Sequence, residues 1–178
     1  MSTDRPLPLH DYFSGIAEYA FHTRLGVADP PLVDYLAELL TRFVRLDAIY
    51  SVRNLSGRRL EEVAAMVAEA EARVGDARRE VHRHIGDFTL FWTGVYPEAL
   101  AHLRNAQRAD RFVDYCAQGK RAYYIASTMR KGDNDPQSEV LERLSHEFEM
   151  CAYGLSEVRR EWERRDGGGN SLPILLGN

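Results

Sequence analysis

Lysine is almost missing from this chain: of 23 basic residues only Lys120 and Lys131 are lysines, the rest being arginine. Such a bias reads first as codon usage and second as a demand for planar recognition of carboxylate or phosphate groups. Cysteine is scarce too. Cys116 and Cys151 form no CxxC or zinc-ligand spacing, and each sits among apolar neighbours, as a small buried hydrophobe would. No run approaches the roughly 20 apolar residues of a membrane helix, and Met1 to Pro8 lack the apolar centre of a signal peptide. A cytoplasmic protein without membrane contact is therefore expected. A net charge of −4 and a pI near 5.9 oppose a general nucleic-acid binder, which needs a basic field.

Catalytic signatures are missing as well. The chain has no G-x-S-x-G elbow, no G-x-x-x-x-G-K-[ST] loop and no G-x-G-x-x-G between strand and helix. Neither cysteine has a histidine beside it in sequence to lower its pKa.

Helical periodicity is what the chain has in abundance. Leu9, Tyr12, Phe13, Ile16, Tyr19 and Ala20 share one helical face, and Gly26 is placed to end a helix over 9–25. Asp29-Pro30 caps and opens a second helix with a broad stripe from Leu32 to Val44. Residues 46–57 read as helix end and loop, and 58–73 as a third helix rich in alanine and glutamate. Gly75-Asp76 reads as a stop and a new cap. The stretch 77–94 is apolar nearly all round, as in a helix at the middle of a bundle. Short helix follows at 97–105, then longer helices at 109–129 and, after the cap-and-proline pair Asp135-Pro136, at 136–165. In the last, Val140, Leu144, Phe148, Cys151, Leu155, Val158 and Trp162 make a near-heptad seam, which a bundle core explains more simply than an intermolecular coiled coil. The expected fold is all-α, a single bundle of about six or seven helices over 1–166. A Gly-rich tether, Gly167 to Gly169, then leads into the apolar tail around Leu172 to Leu176.

Four histidines follow a glutamate by four residues: Glu18/His22, Glu80/His84, Glu98/His102 and Glu142/His146. Each pair shares a helix face and could offer two ligands to a transition metal, although a surface ion pair explains each at little cost. The Glu-x-x-His step of di-iron carboxylate bundles does not occur. Glu80, His84 and Asp87 are the richest set, three ligand types on one stripe of the most apolar helix. That stripe reads more simply as the helix's one solvent-facing edge, neutralised by Arg79 and Arg83. The run from Arg159 to Arg165 alternates basic and acidic residues around Trp162, as a solvated helix end does.

Two blocks carry a resemblance. Ile85-Gly86-Asp87-Phe88-Thr89-Leu90-Phe91-Trp92-Thr93-Gly94-Val95-Tyr96-Pro97-Glu98 is one; Phe112-Val113-Asp114-Tyr115 with Gly119-Lys120-Arg121-Ala122-Tyr123 is the other. Both resemble segments of an uncharacterised family of all-helical bacterial proteins. The resemblance spans roughly the central quarter of the chain, implies an all-helical fold, and brings no catalytic residue with it. Within the first block, Asp87 is expected to hold helix packing through a partner such as Arg121 or Tyr124.

The leading functional expectation is a non-enzymatic interaction or regulatory module, self-associating or holding a protein partner through the last helix and tail. One alternative is a metal-dependent oxidoreductase or hydrolase with Glu/His ligands, and no other cofactor is expected. Another is a small-molecule pocket lined by Tyr19, Phe91, Trp92, Tyr123 and Tyr124.

Overall fold

A computed structural model describes residues 8–103 and 109–166. Helix α1 (Leu9–Tyr19) runs into a π-helical turn (Ala20–Arg24), followed by α2 (Pro30–Phe43) and α3 (Leu46–Ile49). Then come α4 (Val63–Ala72), α5 (Gly75–Gly94), α6 (Leu100–Leu103) and α7 (Tyr115–Thr128). The chain closes with α8 (Pro136–His146) and α9 (Phe148–Arg165). The described residues are all-α; their one extended pairing is a single antiparallel bridge between Arg53 and Arg59. No helix among them is long and apolar enough to cross a membrane.

Aspartates start three helices as short side chains that reach back to free N–H groups. Asp29 accepts from Leu32 N at 3.3 Å, Asp114 from Ala117 N at 3.0 Å, and Asp135 from Ser138 N at 3.2 Å. Asp76, by contrast, is no cap: α5 begins at Gly75 in the left-handed region, with φ 60°, and Asp76 lies in its first turn. Helix α4 starts later than its composition suggests. Its two leading amides, Val63 N and Ala64 N, both donate to buried Asp110 at 2.8 Å, so a residue 47 positions downstream sets where the helix begins.

Two long periodic stretches break. The 3₁₀ turn Ala109–Phe112 gives way at Asp114, the cap of α7; α8 and α9 part at Glu147, whose φ of −107° and ψ of 27° leave the helical region. The hydrophobic seam nevertheless continues across that second break. Val140, Leu144, Phe148, Cys151, Leu155, Val158 and Trp162 are all buried in this chain's own core.

Helix α5 is the centre. From Val81 to Trp92 all but half-buried Arg83 are buried, and the helix packs chiefly on α7, then on α4 and α9. Absent side chains permit the close approaches. A Cβ on Gly86 would lie 2.5 Å from the Tyr123 ring, and one on Gly154 would overlap the Phe21 ring. Phe21 reaches α9 from the π-helical turn, which closes at Gly26 with Val27 N donating to Phe21 O at 2.9 Å.

Candidate functional site

One side of α5 turns its polar residues toward α2 and toward the segments following α3 and α4. There a cleft of about 310 Å³ opens. Glu80, His84 and Asp87, the richest set on that helix, all line it. Facing them are Arg42 of α2, Ser51 and Arg53 after α3, and Arg73 after α4, with Arg83 of α5 completing four arginines.

The triad is graded in depth rather than lying on a solvent edge. Glu80 keeps 46% of its side chain exposed, His84 falls to 7%, and Asp87 is fully buried. At the bottom, Tyr35 and Tyr123 each donate to Asp87 Oδ1 at 2.7 Å, and Arg42 Nη2 donates to Oδ2 at 3.0 Å. Burial and the Asp87 carboxylate push both phenols well up, which keeps them protonated and donating. The partners expected for Asp87 were Arg121 and Tyr124; both are exposed, on a different face of α7 from Tyr123. His84 Nδ1 lies 3.3 Å from Ser51 Oγ, and burial pushes the imidazole pKa down, so the ring is neutral near pH 7. Arg83 Nε is buried without a hydrogen-bond partner.

The arginines are held but not exhausted. Arg83 Nη2 sits 2.8 Å from Glu80 Oε2, and Arg53 Nη1 donates to Gly57 O at 2.9 Å. Arg73 donates through Nε to Glu69 at 2.9 Å and through Nη2 to Arg53 O at 2.6 Å. A guanidinium carries five N–H donors, so each retains several for a ligand. Four arginines line the cleft with Glu80 and Asp87, and with Glu69, which pairs with Arg73, the group carries a formal charge of +1 in a protein whose net charge is −4.

The other candidate pairs stand apart from this cleft. Glu18 and His22 are exposed beside a smaller cavity of about 170 Å³ that Asp29 and Asp34 also line. Glu98 and His102 are exposed, and Glu98 pairs with Arg159. Glu142 is half-buried and His146 exposed on α8. Among the described residues, no three histidine, cysteine or acidic side chains converge in an arrangement that could hold a metal ion. Of the aromatics expected to line a pocket, Phe91, Trp92 and Tyr123 are packed in the core, Tyr19 and Tyr124 lie at the surface, and none lines the cleft. Burial pushes the Cys116 thiol up to about 11 and Cys151 to about 12, which leaves both protonated and unreactive near neutrality.

No protein-family model matches the chain, and neither a curated protein nor a solved structure is significantly similar to it.

Proposed function

We propose that this helical protein binds a small anionic ligand, of the phosphate class, in the arginine-lined cleft. The observation that carries this is the convergence of arginines from four separate segments on one concavity, with Asp87, Glu69 and Glu80 pairing with three of them. Arginines gathered around one hollow raise its positive potential, which favours a bound anion. A phosphate oxygen triad accepts more hydrogen bonds than a carboxylate can, and matches the planar fork of arginine. The cleft is too small and too local for a nucleic-acid backbone, which needs a long basic stripe. The interaction-module alternative rests on 167–178, outside the described residues, since the seam of the last helices is already spent within this chain's own core.

Calorimetric titration of the protein with inorganic phosphate tests the proposal. Saturable binding is expected, and Arg83→Ala or Arg53→Ala should each weaken it about tenfold or more, the scale of a charge-assisted hydrogen bond. Affinity should rise with pH as inorganic phosphate gains its second negative charge near neutrality, because the arginines keep their charge throughout. Phosphate binding that both variants leave unaltered would place the anion elsewhere.

A further inference from the structure

Glu80 is out of place in a cleft built for a bare anion. It lies one turn before His84 on α5, lines the same hollow as the arginines, and remains 46% exposed. Arg83 engages its Oε2. A carboxylate in that position repels phosphate, yet it accepts strongly from a ligand hydroxyl. Ser51, exposed on the facing segment, adds a hydroxyl that can donate or accept.

What lines the cleft also limits the rest of the ligand. Val52 and Val81 are its only apolar residues, and its one aromatic ring, the His84 imidazole, is buried against Phe43 and Phe88. Nucleobases are held largely by stacking on aromatic faces, so this lining suits a hydroxylated skeleton better than a base. The volume of about 310 Å³ is at the low end for ligand sites, enough for one small ring with its phosphate.

Resting on the anion site proposed above, we infer that the ligand is a sugar or polyol phosphate. The arginines hold its phosphate, and Glu80 accepts from a neighbouring hydroxyl.

Calorimetry on the full chain with inorganic phosphate, glucose, glucose 6-phosphate and AMP separates this from the simpler site. Glucose 6-phosphate should bind about tenfold more tightly than inorganic phosphate, the size of one hydrogen bond to a charged acceptor. Glu80→Gln should remove most of that ratio while inorganic phosphate binds as well or better, because a like charge has gone. Circular dichroism of the variant confirms its fold. Equal affinity for phosphate and glucose 6-phosphate, or tighter binding of AMP, overturns the sugar inference and leaves the anion site intact. An unchanged ratio in Glu80→Gln does the same. If none of the phosphates binds, both inferences fall together.

Discussion

At the scale of single residues, two of the buried charged groups, Asp87 and Arg79, each tie helices together, and they differ in what they touch. Asp87 gathers two phenols and one arginine from α2 and α7 around a fully buried carboxylate. Replacing it by alanine strands three donors, Arg42 among them. Asp87→Ala should cost about 3–5 kcal/mol in urea unfolding, and Asp87→Asn, which keeps an acceptor, less. A loss below about 1 kcal/mol for Asp87→Ala would mean that water or repacking replaces the network. Arg79 is the second group: only 2% exposed, it donates to Asp135 at 3.1 Å, Ser138 Oγ at 2.8 Å and Ala126 O at 3.3 Å, joining α5, α7 and the start of α8. Its sequence neighbourhood predicts a surface side chain that neutralises the Glu80 stripe. Its position three residues before His82 puts it on the opposite, buried side of α5 instead.

At the scale of elements, the boundaries depend on partners far away in sequence. Asp110 serves as the cap that α4 lacks locally, while Glu62, the residue before α4, accepts from Ala109 N at 2.5 Å. The two segments thus terminate one another. Asp110→Ala should destabilise the protein by about 1–2 kcal/mol, with hydrogen exchange accelerating first at Val63 and Ala64. Uniform acceleration across all helices would show that the cap has no local role. Close packing gives a second test. Gly154→Ala forces a methyl into the Phe21 ring, and overpacking of this kind costs about 1–3 kcal/mol. Phe21→Leu, harmful alone, should partly rescue it in the double variant; strict additivity would mean that the two sites do not meet.

For the whole molecule, acid stability should follow Asp135. Hydrogen bonds from Lys131 N and Ser138, with Arg79 beside it, hold its carboxyl down to about 2. The folded value lies below the unfolded one of about 3.9, so this contribution is complete above that value and fades as pH falls toward 2. Urea midpoints should therefore drop between about pH 5 and pH 2, and less steeply in Asp135→Asn. Identical slopes in the two proteins would assign acid sensitivity to other carboxylates. The cleft belongs to this scale also, since it exists only where α2, α5 and the segments after α3 and α4 meet.

Much of the architecture follows from sequence alone. Apolar periodicity determines that the chain is helical and which faces are inward; Asp-Pro pairs and Gly26 mark ends, because caps and left-handed glycines are local chemistry. The stripe of Glu80, His84 and Asp87 is legible in the same way, through the helical repeat. Its partners are not. Arg42, Ser51, Arg53 and Arg73 come from separate segments with no spacing in common, and the excess of arginine over lysine was the one compositional trace of them. Tyr35 and Tyr123 read simply as core aromatics until packing turns their hydroxyls onto Asp87. Helix ends at Val63 and Glu147 were equally hidden, because a distant carboxylate sets one and the turn of the chain onto the core sets the other. Periodicity is a property of neighbours along the chain; a site made by several segments depends on where those segments meet, and only tertiary packing decides that.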